Sequence, residues 1–265
     1  MKPYFENNFI KVYNADSQNL DFISANSVHL IITSPPYNVA MPYEEYHDEQ
    51  PKTDYLKMLE NVFRECYRVL VPGGKIAVHC PSCLSQTRHS KIGFLSVAIH
   101  NLLENIGFLP FAWIYWDKIV NCNQNATSWG SWLKCNLSIR DIGDEYIIVM
   151  AKEKLKIDIP QDAVFDITKD EFMQWTVNRW EILTAQSKLH PAVFPVEIPY
   201  RLIKMFTWKG ATVLDPFAGS GTVGDMAEKL ERYAILVDIS SEYCAVMRER
   251  FSYQNLFFDN KGGRK

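Results

Sequence analysis

"VLDPFAGSGTVG", residues 213–224, joins an apolar run, a glycine-rich turn and the start of a helical pattern. The apolar run predicts a buried strand that ends at Asp215, and the spacing after Thr222 predicts a helix. The three glycines have the spacing G-x-G-x-x-G, and Asp238 ends the next predicted strand. An acidic residue about 20 positions after such a turn is typical of nucleotide-like ligand sites. The stretch therefore predicts a parallel α/β sheet that binds a ligand at the carboxyl ends of its strands.

Strand and helix patterns alternate through the rest of the chain. Strands are predicted over 9–13, 28–33, 75–80, 108–116, 145–151, 211–215 and 233–238. Helices are predicted over 54–70, 91–106, 196–206, 222–231 and 241–251. This alternation predicts a doubly wound, mostly parallel sheet with helices on both faces. We expect a single domain over 1–265, with polar, tryptophan-containing insertions at 117–141 and 153–187.

Composition sets broad limits on the function. The chain has 265 residues, an apolar fraction of 47% and a net charge of −3, so its overall charge neither indicates nor excludes a nucleic-acid partner. No run approaches the roughly 18 apolar residues of a membrane span, and the start "MKPYFENNF" has no hydrophobic signal core. We therefore expect a cytoplasmic protein without membrane contact. Six cysteines include one C-x-x-C pair at 80–83 but no second one, so we expect reduced thiols and no metal site.

The predicted strand at 28–33 runs into "TSPPYN", residues 33–38. Prolines have no N–H to donate, so the carbonyl groups of this turn are expected to serve as fixed hydrogen-bond acceptors. The Ser34 hydroxyl adds another acceptor, and the Tyr37 ring offers a face on which a base could stack. A turn that merely ends the strand is the alternative for this stretch taken alone.

The glycine turn has two candidate ligands. Its spacing fits the nicotinamide cofactor of a dehydrogenase. However, the D-P-F that begins the turn puts a carboxylate and a ring where that fingerprint usually has glycine, and "TSPPYN" has no role in hydride transfer. S-adenosylmethionine is the other ligand: its ribose hydroxyls suit the Asp238 carboxylate, and its methionine part can approach the backbone of 217–221. A turn without a ligand is the third alternative.

The two stretches together resemble the DNA amino-methyltransferases. That family has the catalytic motif [DNS]-P-P-[YFW], here Ser34 to Tyr37, and the cofactor motif D-P-F-x-G-S-G-T, here Asp215 to Thr222. The segment "HPAVFP" (190–195) resembles a further cofactor-contacting segment. The catalytic motif precedes the cofactor motif, as in the permuted β-group, and serine in "TSPPY" resembles the cytosine-N4-specific branch. The resemblance covers essentially the whole chain and implies a seven-stranded sheet.

The resemblance also implies site residues. The catalytic residues would be Ser34, Pro35, Pro36 and Tyr37. S-adenosylmethionine would be bound by Asp16, Phe194, Pro195, Asp215, Phe217, Ala218, Gly219, Ser220, Gly221, Thr222 and Asp238. The β-group places its target-recognition segment at 153–187, and 117–141 is a further candidate DNA-facing region. The candidate DNA-binding residues are Arg88, Lys91, Asn123, Arg140 and Arg179.

The function implied is transfer of a methyl group to the N4 amine of a flipped-out cytosine in double-stranded DNA. A cognate restriction endonuclease and a second copy of the chain are candidate partners. Methylation of adenine N6 by the same architecture is the nearest alternative. Amine methylation of RNA or protein, and an NAD-dependent dehydrogenase, are more distant ones.

Overall fold

The structure, a computed structural model, describes residues 1–38, 50–81, 93–118, 145–183 and 195–258. Its strands are β1 (Phe5–Glu6), β2 (Ile10–Asn14), β3 (Val28–Thr33), β4 (Leu70–Pro81), β5 (Phe108–Lys118), β6 (Glu145–Lys152), β7 (Arg179–Ile182), β8 (Thr212–Asp215) and β9 (Tyr233–Asp238). Its helices are α1 (Lys52–Val69), α2 (Leu95–Ile106), α3 (Lys169–Trp175), α4 (Glu197–Phe206), α5 (Thr222–Lys229) and α6 (Ser241–Phe258).

All nine described strands form one sheet in the order β1-β2-β9-β8-β3-β4-β6-β5-β7. Every neighbouring pair is parallel except β1 with β2 and the two pairs that β6 makes with β4 and β5. The predicted doubly wound, mostly parallel sheet is confirmed. The seven predicted strands are present, and β1 and β7 add one short strand at each edge. These two have only two and four residues, too few for a hydrophobic pattern to be recognised.

A short helix, α3, was also not predicted from the sequence. Thr168 accepts a hydrogen bond from the backbone N–H of Glu171, and the Glu171 side chain accepts one from the backbone N–H of Thr168. This reciprocal pair is a capping box, whose T-x-x-E signature is readable in the sequence. The signal was therefore present, although only seven residues follow it in helical conformation.

Two apolar layers hold the helices on the sheet. Leu30 and Ile32 of β3 pack in the layer that includes α4, α5 and α6, while Ile31 packs in the layer that includes α1 and α2. All three side chains are fully buried, so this central strand is apolar on both faces. No helix among the described residues is long and apolar enough to cross a lipid bilayer.

The parallel strands bring distant parts of the chain to one edge of the sheet. β2, β9, β8, β3 and β4 all run the same way, so their carboxyl ends lie side by side. β6 runs the opposite way and pairs Glu145, its first residue, with Pro81 at the end of β4. The carboxyl edge therefore carries the residues after β3 and β8, where both sequence motifs lie.

Part of the predicted target-recognition segment lies at the other end of the sheet. Lys75, in the first half of β4, donates from Nζ to the Leu155 carbonyl at 3.1 Å, and a Cβ on Gly73 would lie 2.2 Å from the Lys156 carbonyl oxygen. Val164 accepts from the backbone N–H of Lys209, ahead of β8. Residues 153–167 thus pack against the amino ends of the strands. Within the described part of this segment, only β7, which runs parallel to β5, returns towards the carboxyl edge.

A buried ion pair fastens this layer to the sheet. The Arg232 side chain is fully buried, and its guanidinium donates to both carboxylate oxygens of Asp166 at 2.6 and 2.8 Å. It also donates to the Thr207 hydroxyl and to the Leu230 carbonyl. Loss of the Asp166 charge would leave a buried cation without its counter-ion, which is costly.

We expect Asp166→Asn to lower the free energy of unfolding by about 3 kcal/mol. The matched control is Asp117→Asn, which removes the partner of the exposed Arg179 at the sheet surface and should change stability much less, because solvent screens that pair. Urea unfolding followed by tryptophan fluorescence measures both. A loss of stability in Asp166→Asn as small as that in Asp117→Asn would show that the contact of the 153–167 layer with Arg232 contributes little to the stability of the domain.

Candidate active site at the carboxyl edge of the sheet

One hydrogen bond joins the two sequence motifs. The Thr33 hydroxyl donates to Asp215 Oδ1 at 2.8 Å, across 182 positions of sequence. The same oxygen accepts from the backbone N–H of Phe217 at 3.1 Å. Burial raises the pKa of Asp215 to about 7, although the hydrogen bonds from Phe217 and Thr33 act in the opposite direction. Asp215 is predicted to bind the cofactor, but its described contacts hold the two turns together.

The glycine turn between β8 and α5 has the geometry that its sequence predicts. Gly219 and Gly221 have positive φ angles of 50° and 81°, a backbone conformation that is unfavourable for residues with a Cβ atom. A Cβ on Gly221 would lie 2.9 Å from Met247 and 3.0 Å from Phe251, so this position also needs glycine for space. A Cβ on Gly219 would meet no atom within 4 Å. The backbone at Gly219 therefore faces open space that a ligand can approach.

Asp238 connects the end of β9 to this turn. One carboxylate oxygen accepts from the backbone N–H of Gly219 at 2.7 Å, and the other accepts from that of Ser240 at 2.9 Å. On the next strand along, Asp16 follows β2, and its carboxylate accepts from the backbone and side chain of Gln18. The predicted cofactor residues of β2, β9 and β8 therefore lie at neighbouring strand ends.

These residues fit S-adenosylmethionine. The open space at Gly219 leaves room for the chain of the methionine part, with no side chain in the way. Carboxylates at two adjacent strand ends, Asp16 and Asp238, are acceptors suited to ribose hydroxyls and to an adenine amine. Ser17, beside Asp16, donates to the Pro216 carbonyl at 2.6 Å and so fixes the β2 loop against the turn.

The S-P-P-Y turn lies beside the glycine turn. The Ser34 and Tyr37 hydroxyls are 2.8 Å apart, and each lies within hydrogen-bond distance of His79 Nδ1. The Tyr55 hydroxyl donates to the Pro36 carbonyl at 2.7 Å. The carbonyl groups of this turn are expected to be fixed acceptors, and that of Pro36 accepts from Tyr55, which holds the turn on α1.

Three residues that the sequence analysis missed support this turn. His79 is buried on β4, its Nε2 contacts Glu145 Oε2, and Lys118 Nζ lies 2.5 Å from Glu145 Oε1. Burial alone would raise the pKa of Glu145, but its contacts with His79 and then with Lys118 hold it below its usual value. A histidine within the apolar run "KIAVHC" was the available signal, because polar groups in buried strands need partners.

Burial also affects the phenol of Tyr37. It raises the pKa of Tyr37 well above its usual value, the nearby Glu145 charge adds to this, and the hydrogen bond with Ser34 opposes it. Tyr37 therefore keeps its proton at neutral pH and remains a hydrogen-bond donor.

The remaining predicted site residues separate into two groups. Pro195 is buried just before α4, and Arg179 is exposed on β7, where its guanidinium pairs with Asp117 at 2.5 Å. Pro35 is buried in the S-P-P-Y turn, Ala218 and Ser220 belong to the glycine turn, and Thr222 begins α5. Five predicted residues lie outside the described residues: Arg88, Lys91, Asn123, Arg140 and Phe194.

Comparisons with known proteins identify the family. Residues 28–249 match the N6_N4_Mtase family, described as DNA methylase. The type II methyltransferase M.MjaI of Methanocaldococcus jannaschii is 31% identical in an alignment that covers 95% of this chain and 97% of that protein. The DNA adenine methyltransferase YhdJ of Escherichia coli K12 is 27% identical, covering 83% of this chain and 75% of that protein.

A solved structure shows the same fold with a ligand. TTHA0409 of Thermus thermophilus, described as a candidate DNA modification methylase, was crystallised with S-adenosyl-L-methionine. It superimposes with a TM-score of 0.69 at 29% identity, covering 91% of this chain and 94% of that one. Because the family model matches most of the chain and M.MjaI is 31% identical over nearly its whole length, the chain belongs to the N6/N4 family of DNA methyltransferases, which use S-adenosylmethionine as methyl donor.

Proposed function

We propose that this DNA methyltransferase modifies the exocyclic N4 amine of a cytosine that is flipped out of the duplex. The observation that carries the proposal is the Ser34 hydroxyl, which heads the S-P-P-Y turn beside the cofactor turn. Aspartate, asparagine and serine occur at this position in the motif, and the serine form resembles the cytosine-N4 branch. The neutral hydroxyl offers an acceptor without adding another negative charge near Glu145.

The chemistry needs a more nucleophilic amine. The lone pair of an exocyclic amine is delocalised into the base, so the nitrogen attacks poorly. Acceptors aimed at its N–H bonds favour a pyramidal nitrogen and return the lone pair to one face. S-adenosylmethionine supplies the electrophilic methyl group. The protein's part is to orient the amine in line and to stabilise the charge that develops on it.

Access to the amine requires extrusion of the base. Exocyclic amines in duplex DNA lie inside the stack, so enzymes that modify them take the nucleotide out. The ring of Tyr37, partly buried beside Ser34, is the proposed stacking surface. Stacking of one base on an aromatic side chain contributes roughly 1–3 kcal/mol.

We propose that Arg88, Lys91, Asn123 and Arg140 contact DNA phosphates and bases, as the sequence suggests. Arg179 is exposed, but its guanidinium is already paired with Asp117, so a phosphate would have to displace a carboxylate. The type II names of relatives such as M.MjaI support a role in restriction–modification, with a cognate endonuclease and a second copy of the chain as partners to test.

Methylation of adenine N6 is the second candidate. An adenine amine needs the same acceptors, and YhdJ, named an adenine methyltransferase, is similar over most of the chain. The two functions differ in the nucleoside that carries the methyl group and can be separated directly.

The first test identifies the product. The protein is incubated with labelled S-adenosylmethionine and genomic DNA from a methylase-free strain, and the DNA is digested to nucleosides. We expect the label in N4-methylcytosine, because serine at the first position of the S-P-P-Y turn resembles the cytosine-N4 branch. Label in N6-methyladenine would replace the proposal with the second candidate, and label only on RNA or protein would reject both.

The second test separates base binding from cofactor binding. Tyr37→Ala should lower kcat by roughly 10- to 100-fold while the Kd for S-adenosylmethionine, measured by calorimetry, stays within about twofold, because the lost stacking concerns the base. Asp238→Ala should raise that Kd by at least about tenfold, since a charge-assisted contact is lost and the turn at Gly219 loses its acceptor.

Tyr37→Phe is the matched control, because it keeps the ring and removes only the hydroxyl. It should retain more activity than Tyr37→Ala. An equal loss of cofactor affinity in Tyr37→Ala and Asp238→Ala would contradict the assigned division of roles.

A further inference from the structure

A triangle of polar atoms lies beneath the S-P-P-Y turn. Ser34 Oγ and Tyr37 Oη are 2.8 Å apart, Ser34 Oγ lies 3.1 Å from His79 Nδ1, and Tyr37 Oη lies 3.2 Å from the same nitrogen. The hydroxyls can each donate or accept, so their directions depend on the histidine. A neutral imidazole has one donor nitrogen and one acceptor nitrogen.

Suppose first that His79 Nδ1 is the acceptor. Two hydroxyl hydrogens are then available, and both can point into the triangle. Either Ser34 donates to His79 and Tyr37 donates to Ser34, or Tyr37 donates to His79 and Ser34 donates to Tyr37. In both arrangements the Ser34 hydrogen points inward, and at least one lone pair of its oxygen remains for a substrate N–H.

Suppose instead that Nδ1 carries the proton. It then donates to one hydroxyl and can accept nothing, and only one further hydrogen bond fits between Ser34 and Tyr37. One of the two hydroxyl hydrogens has no acceptor within the triangle and must point elsewhere. A Ser34 hydrogen directed outward would face the hydrogens of the target amine, which is an unfavourable donor-to-donor contact.

For the neutral imidazole, the surroundings of His79 select the first case. Glu145 Oε2 contacts Nε2, and a carboxylate can only accept, so the proton belongs on Nε2. Lys118 holds the other oxygen of Glu145 at 2.5 Å, and this ion pair keeps the carboxylate ionised. The Trp116 ring, 5.4 Å from the imidazole, packs against His79 and limits its rotation.

We propose that His79, held by Glu145, is a positioning residue that keeps the Ser34 hydroxyl an acceptor for the target amine. Neither residue contacts the reacting atoms; they act through Ser34. This inference rests on the proposed function, because it takes the substrate group that donates to the Ser34 hydroxyl to be an exocyclic amine. It applies equally to cytosine N4 and adenine N6, and it explains how a hydroxyl can serve where other family members carry a carboxylate.

The first experiment reads the tautomer without any activity measurement. Long-range ¹⁵N–¹H spectra of protein labelled in its six histidines report which ring nitrogen carries the proton, and His79→Asn identifies the signal of His79. We expect the Nε2–H tautomer in the native protein. A native His79 protonated on Nδ1 at neutral pH would overturn the proposal.

Glu145→Gln should reverse the tautomer. Lys118 still needs an acceptor, so the amide oxygen of the new side chain should turn to Lys118 and leave its NH₂ group facing His79 Nε2. Nε2 then becomes the acceptor and Nδ1 the donor. We expect kcat to fall on the order of 100-fold, as when one hydrogen bond preorganised for a transition state is lost. KM for S-adenosylmethionine should stay within about twofold, because the affected contacts concern the amine and not the cofactor.

A matched pair at position 79 separates hydrogen bonding from packing. Asparagine can place its side-chain oxygen near the position of Nδ1, whereas leucine fills the space without an acceptor. We expect His79→Asn to keep kcat within about tenfold of native and His79→Leu to lose on the order of 100-fold, at similar thermal stability. Equal losses in both variants would indicate a packing role and reject the proposal.

A double-mutant cycle with Ser34→Ala tests the route of action. If His79 acts only by orienting the Ser34 hydroxyl, His79→Leu should cost less than about threefold in single-turnover rate once that hydroxyl is absent. An undiminished cost would show that His79 acts by another route. A product other than a methylated exocyclic amine would reject the proposed function. The tautomer of His79 is measured without any product, so that result is independent of the proposed function.

Discussion

The site depends on the hydrogen bond from Thr33 to Asp215 and on the strand pairing that makes it. β3 and β8 are parallel neighbours in register, with Leu30 opposite Val213 and Ile31 opposite Leu214. The residues that leave these strands are therefore side by side: the S-P-P-Y turn follows β3, and the glycine turn follows β8. Because both partners are buried, the bond would be costly to leave unmade, which holds the two turns at a constant separation.

Acidic groups at this edge serve mainly as acceptors for the protein's own donors. Asp215 receives a hydroxyl and a backbone N–H, Asp238 receives two backbone N–H groups, and Glu145 lies between a lysine and a histidine. These contacts fix the turns before any ligand binds. A site whose dipoles are already oriented needs little rearrangement during the reaction, which is the general source of electrostatic catalysis.

The two ends of the sheet carry different tasks. Residues 153–167 close the amino ends through Lys75, Arg232 and the close approach at Gly73, and these contacts stabilise the domain. The carboxyl ends carry the hydroxyls, carboxylates and open backbone that chemistry needs. The antiparallel β6 links the two ends, since it starts at Glu145 near the S-P-P-Y turn and ends at Lys152 beside the amino-end layer. In the described part of the segment predicted to read DNA, only the portion from β7 onward runs towards the carboxyl edge.

The alternation of strands and helices, the glycine turn and the S-P-P-Y turn could all be predicted from the sequence, because hydrophobic period and turn chemistry are local properties of the chain. The sequence also indicated the family, since both motifs are contiguous. Only the tertiary structure decided that Thr33 holds Asp215, that Tyr55 occupies the Pro36 carbonyl, and that Glu145 sits beneath His79. Those contacts join residues far apart in the chain and depend on strand order and direction. The antiparallel strand β6 places Glu145 at the carboxyl edge, and no local pattern in the sequence encodes the direction of that strand.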